Sequence, residues 1–250
     1  MTLKGIINAV FWNAKKKLKL ITELDTIFWM PRRKIDIDKL FARFTKDDFY
    51  FIQIGANDGI TGDDLRHYIE KYSWHGILVE PVPYVFERLK KNYNGFSNLI
   101  FENSGISCQS GFANFYSISE NDLENNNLFD NYHTYKIDQL SSFDKKTIMK
   151  HSYMHPNFED LIIEIEIPVL NIHDLMEKYQ VTQLDLLQVD TEGFDFEILK
   201  IFDFEKIAPK IVIFEHQHLK HREYKGLIRK LRKSGYKSYK NNFDTVSIFE

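Results

Sequence analysis

The run FYFIQI at residues 49–54 is apolar at nearly every position and leads straight into the turn GANDG at 55–59. A strand without polar alternation is covered on both faces, as in a parallel sheet between two helix layers. Parallel strands need crossover connections, so this segment commits the chain to strands alternating with helices. GILVE (76–80), NLIFEN (98–103), DLLQVD (185–190) and KIVIFEH (210–216) read as further buried strands. Leu65, Tyr68, Ile69 and Tyr72 share one face of a helix over 62–73, and VPYVFERLKKNY (82–93) is a second amphipathic helix. A third helix surrounds Phe194 to Lys200, and IPVLNIHDLMEKY (167–179) reads as a strand leading into a helix. The helix over 222–235 closes at Gly235, and YKSYK and TVSIF flank NNFD as a final hairpin. The expected class is therefore α/β, doubly wound, with ligands bound beyond the carboxyl ends of the strands.

Two segments stand outside this alternation. Residues 117–160 are polar and rich in Asn, Asp and Ser, yet carry Tyr132, His133, Tyr135, His151, Tyr153 and His155. Disordered segments are poor in aromatics, so a partly structured lid is expected over about 117–166. Its histidines are scattered and are expected on the surface or against substrate, not as ligands. Residues 1–45 are expected to form a basic amphipathic N-terminal helical segment ahead of a domain over 46–250. Within it, residues 1–34 hold eight Lys/Arg against Glu23 and Asp25, a net of +6 against −9 for the remainder. Ile6, Ile7, Val10 and Phe11 have helical spacing. Such a face packs on the domain or on a second copy, or lies against anionic lipid or a phosphate-bearing substrate.

The whole-chain net charge of −3 gives no reason to expect nucleic acid, and Cys108 alone makes no internal disulfide. No apolar run reaches the ~18 residues of a membrane span. The start lacks a signal-peptide pattern, so cytoplasmic residence is expected, with peripheral attachment to the inner face of the membrane through residues 1–34 as the alternative.

Gly55 and Gly59 allow a sharp turn and let backbone N–H groups approach a ligand. The three-glycine dinucleotide fingerprint is absent. Glu80 ends the second strand about twenty residues later, where an acid accepts hydrogen bonds from both ribose hydroxyls. Asn103 and Ser104 end the third strand and are placed to read an adenine edge. These residues describe a nucleoside site without a pyrophosphate cradle.

FIQIGANDG, ILVEPVPYVFERLKKN, NSGISCQSGFANFY and LDLLQVDTEGFDFEILK together resemble the FkbM-type family of S-adenosylmethionine-dependent methyltransferases, in order and spacing over roughly 49–250. The resemblance implies the class I methyltransferase fold, a seven-stranded sheet whose last strand is antiparallel. It implies S-adenosylmethionine held by Gln53, Gly55, Asn57, Asp58, Gly59, Glu80, Asn103 and Ser104, and O-methylation, often of sugars. The family often has an acid where this chain has Gln53, which offers the cofactor's amino group a carbonyl without charge.

Methyl transfer to a hydroxyl requires a positioned acceptor and a path for its proton. Asp190 closes one strand, and Glu215 and His216 close the next. Converging on one ion, they would suit Mg²⁺ or Mn²⁺; without a metal, Asp190 or His216 would be the base. Glu192 is read as capping the helix near Gly193, and His173 as structural. The expected substrate is a sugar hydroxyl, on a nucleotide-linked sugar or a bacterial surface glycan of capsule or lipopolysaccharide type. The alternatives are an inactive binding module, favoured by Gln53, and methylation of a small lipid or peptide product, disfavoured by the polar lid.

Overall fold

The computed structural model describes residues 35–125, 137 and 139–250. The basic segment 1–34 and lid residues Tyr132, His133 and Tyr135 lie outside them. The central sheet holds β1 (Tyr50–Ile54), β2 (His75–Val79), β3 (Leu99–Glu102), β7 (Leu186–Val189), β8 (Ile211–Glu215), β9 (Tyr236–Asn241) and β10 (Asp244–Phe249). Their order is β3-β2-β1-β7-β8-β10-β9. The first five run parallel, and β10 pairs antiparallel with both β8 and β9. This is the α/β architecture expected from the sequence, with the closing antiparallel hairpin.

Register decides where the site lies. Ile54 pairs with Val79 and with Val189, Val79 with Glu102, and Val189 with Phe214. The carboxyl ends of five strands therefore form one edge. The chain crosses from β1 outward to β2 and β3, then returns to the other side of β1 as β7. The crevice at that reversal is where an open parallel sheet binds ligands.

Each sheet face is sealed by helices. On one, Ile52, Ile54, Val79, Leu187 and Phe214 pack against helices α6 (Ile172–Lys178), α7 (Asp195–Ile201) and α8 (His221–Lys233). On the other, Phe49, Phe51, Leu78 and Leu186 pack against α1 (Ile37–Phe44), α2 (Arg66–Tyr72) and α3 (Pro83–Asn92). Helix α1 starts at Asp36, whose carboxylate caps Lys39 N–H, and sets Phe41 edge-on to Trp74 at 5.0 Å. Among the described residues no helix is long and apolar enough to cross a membrane.

The insert between β5 (Gly111–Ile118) and β6 (Ile162–Asn171), read from the sequence as a lid, is better organised than its composition implies. A second sheet, β4-β6-β5, joins Gly105–Ser107, Ile162–Asn171 and Gly111–Ile118. Strands β5 and β6 pair antiparallel from Gly111–Val169 to Ile118–Ile162, so both ends of the insert are anchored in a ladder. The insert between them includes α4 (Glu120–Asn125) and α5 (Lys145–Met149). It builds its own core from Ile118, Leu123, Leu140, Ile148, Phe158 and Leu161.

Candidate active site

The aligned strand ends open onto a cleft. Gln53, Gly55, Asn57, Glu80, Ser104, Gln188, Asp190 and Glu192 line it from the sheet, and Gln139, Ser141 and Phe143 from the lid. Of the sequence-expected nucleoside residues, Asp58, Gly59 and Asn103 do not line it.

Local bonding explains the division. Asp58 is committed to its turn, accepting from Ile60 N–H, Thr61 N–H and Thr61 Oγ1 at 2.7–2.9 Å. Gly59 faces α3, where a Cβ would stand 2.4 Å from Tyr93. The Asn103 amide donates to the carbonyls of Glu80 and Pro81, bracing the ends of β2 and β3. The turn's N–H groups are also committed inside the protein. Those of Gly55 and Ala56 both reach Val79 O at 3.0 Å, and that of Asn57 reaches Glu80 Oε2 at 3.0 Å.

Glu80 is thus the hub of the turn as well as a wall of the cleft. Its other oxygen accepts Val82 N–H at 2.9 Å. Burial pushes its pKa up to about 7, against the pull of these two N–H groups and of Arg88. Opposite it, Gln53 and Gln188 are register neighbours on β1 and β7. Both side-chain carbonyl oxygens are buried without a hydrogen-bond partner, as is the Ser104 hydroxyl. Gln53 is held by its amide, which donates to Asp63 at 3.1 Å.

The acidic end of the cleft differs from the expected trio. Asp190 is open to water within the cleft although deeply set among protein atoms. Its surroundings, together with Asp195 and Glu192, raise its pKa well above the carboxylate range. Burial, then Asp190, Glu192 and Asp195, push Glu215 up to about 9. His216 turns away from both: its Nδ1 lies 3.2 Å from Thr245 Oγ1, and its ring lies 5.3 Å from Tyr224. His216 lies just past the end of β8, where its N–H bonds to Phe243 O at 2.9 Å, and its side chain leaves Glu215 behind. The histidine that meets Glu215 is His218, Nε2 3.5 Å from its carboxylate and 3.1 Å from that of Glu192.

Glu192 is not a helix cap. Helix α7 begins after Phe194 without a side-chain cap. The residue that ties these strand ends together is Asp195, which sequence reading passed over. It is fully buried, accepting Thr191 Oγ1–H at 2.9 Å and Glu215 N–H at 3.2 Å. His151, expected on the surface or against substrate, reaches the Glu192–His218 pair from the insert. His173 is structural as read, with Nε2 3.1 Å from Ile201 O.

Chemically, the cleft offers unpaired hydrogen-bonding atoms at one end and a group of carboxylates at the other. The fold is similar to several methyltransferase structures. A methyltransferase FkbM from Methylobacillus flagellatus KT is 12% identical with a TM-score of 0.47, over 82% of this chain and 44% of that one. This chain therefore spans under half of that protein. The METTL16 methyltransferase domain is 12% identical with a TM-score of 0.45, over 91% and 67%. A putative caffeoyl-CoA O-methyltransferase from Staphylococcus aureus is 9% identical with a TM-score of 0.42, over 99% of each chain. No curated protein matches the chain. The model of the methyltransferase FkbM domain matches residues 53–238, from Gln53 through every residue of the cleft, and the chain belongs to that family.

Proposed function

We propose that this chain is an S-adenosylmethionine-dependent O-methyltransferase whose acceptor is a sugar hydroxyl, on a nucleotide-linked sugar or a surface glycan. The observation that carries the reading is the set of buried, partnerless atoms in one cleft: Gln53 Oε1, Gln188 Oε1 and Ser104 Oγ. A native interior leaves few such atoms, because each costs about 1–3 kcal/mol unsatisfied. Two paired carbonyls ask for a donor, and the ammonium of an amino-acid ligand supplies one. Glu80 retains lone pairs for a ribose diol beside its two N–H partners. The residues present therefore fit the cofactor, which when bound supplies an activated methyl group.

The acceptor end follows from charge. A hydroxyl that gains a methyl group releases a proton, and a carboxylate with a raised pKa is a competent receiver. Asp190 opens into the cleft and is the proposed base. The lid side chains Gln139 and Ser141 are small and polar, which suits hydroxyl-rich acceptors better than lipid. The test is a panel of nucleotide sugars, free sugars, lipids and peptides incubated with the cofactor and followed by mass spectrometry. A gain of one methylene on a sugar supports the proposal; methylation only of lipid or peptide acceptors rejects the substrate class.

A further inference from the structure

We propose that His151, Glu192 and His218 form a site for a divalent transition-metal ion that fastens the lid insert to the rim of the cleft. Their ligating atoms all lie within 4.8 Å of one another. The three come from separate parts of the fold. Glu192 sits in the turn after β7, His218 follows β8, and His151 stands just beyond α5 in the insert.

The geometry is close to a coordination shell. Ligands about 2.0–2.1 Å from an ion in a tetrahedral arrangement stand about 3.3 Å apart. His218 Nε2 and Glu192 Oε2 are already at 3.1 Å. His151 offers its ligand atom within 4.8 Å of both, so a side-chain rotation towards them completes the set. Its Nε2 is buried with no hydrogen-bond partner, which is unusual for an imidazole with two polar nitrogens. Glu215 lies beside His218, with Oε1 3.5 Å from the imidazole Nε2, and its Oε2 is also buried and partnerless. A cation held by His151, Glu192 and His218 would satisfy the imidazole nitrogen of His151.

The backbone is arranged to hold this contact. Glu192 has a φ of +50°, a strained conformation for a residue with a side chain, and its carbonyl accepts the Ser142 hydroxyl of the insert at 3.1 Å. Gly193 follows at φ +103°, and a Cβ there would lie 3.5 Å from His218 and 3.6 Å from Thr147 of α5. Three elements therefore meet at Gly193 and aim their ligands at one point. One group opposes loading: Lys150 Nζ lies 3.5 Å from His218 Nδ1. A metal on Nε2 requires the proton on Nδ1, so this exposed ammonium must swing aside, which its long stem allows.

Two imidazoles and one carboxylate with open positions select Zn²⁺ or a similar ion over Mg²⁺, which prefers oxygen ligands. This differs from the oxygen-rich Asp190, Glu215 and His216 set, since His216 points elsewhere. The site stands independently of the methyl-transfer reading. The chelator-treated, dialysed full chain is titrated calorimetrically with Zn²⁺ and with Mg²⁺, without cofactor. Zn²⁺ should bind one ion per chain and Mg²⁺ should give no heat. His151→Ala and Glu192→Gln should each weaken Zn²⁺ by about ten-fold or more, and in hydrogen exchange Zn²⁺ should protect residues 139–161 in the wild type but not in His151→Ala. Equal Zn²⁺ affinity in the wild type and both variants overturns the site, as does Zn²⁺ binding without protection of the insert. If His151→Ala is misfolded by circular dichroism, Glu192→Gln decides by the same titration.

Discussion

Gly55 and Asp190 are in backbone contact: a Cβ on Gly55 would stand 1.7 Å from the Asp190 carbonyl oxygen. Asp190 N–H is in turn bonded to Ile54 O at 2.9 Å. The cleft therefore begins where two strand ends touch, and only glycine permits it. Gly55→Ala adds this overlap to a φ of +82° and should cost about 2–4 kcal/mol. Thermal denaturation should show a fall of roughly 5–15 °C. Gly95→Ala is the control, with φ +96° and no atom within 4 Å of the added methyl. Equal losses in the two variants would mean that the contact is unimportant.

Gln188 separates stability from binding. Its partnerless Oε1 is a liability to the empty fold and an asset to a ligand. Gln188→Met keeps the volume and removes the atom. The unliganded variant should be more stable by about 1 kcal/mol in denaturant unfolding, while its affinity for S-adenosylhomocysteine should fall. A variant that loses stability and keeps affinity would assign Gln188 to the fold alone.

Glu80 gives a pH dependence. Its pKa of about 7 is raised above the ordinary carboxylate value by burial and by Asp58, with Arg88 and the Asn57 and Val82 N–H groups opposing. A ribose that donates two hydrogen bonds selects the ionised form. Binding should therefore tighten as pH rises, by about ten-fold between pH 6 and 8. The stability effect has the opposite sign: a raised folded-state pKa gives a contribution present at low pH and lost as pH rises through about 7. Titration of S-adenosylhomocysteine at several pH values checks the first effect, and Glu80→Gln should flatten the profile.

Asp190→Asn should abolish methyl transfer and leave S-adenosylhomocysteine binding intact, because the proposed base acts on the acceptor. The same change removes one charge from a group that includes Glu192, Asp195 and Asp244. The unliganded variant should melt at a higher temperature than the wild type at pH 8. Turnover that survives the substitution would move the base elsewhere.

His216→Ala tests the divergence of Glu215 and His216. With its ring on the Tyr224 and Thr245 side, its loss should leave turnover nearly unchanged and cost only packing. A large loss of turnover would bring it back to the cleft.

These residues also show how far the sequence is legible. The parallel strands were readable because FYFIQI and its companions are apolar throughout, and register then aligned their ends without further information. The second sheet was harder. IIEIEI at 162–167 does alternate, but its partner β5 is exposed at its start, buried only toward its end, and carries no comparable pattern. The place of Glu80 at the end of a buried strand is legible and puts it on the cleft, whereas its hold on Asn57 and Val82 depends on a turn that spacing does not describe. His218 meets Glu215 only because the chain turns after β8, and the two-residue period of a strand, which puts 216 and 218 on one side, does not signal that. Nothing local to His151 announces its neighbours, since Glu192 and His218 lie 41 and 67 residues further along the chain.

The most direct measurement is calorimetric titration of the full chain with S-adenosylhomocysteine at pH 8. The account predicts saturable binding of one ligand per chain, weakened in Gln188→Met and, at pH 8, in Glu80→Gln. Absence of heat up to high micromolar ligand, in protein shown to be folded, would contradict it.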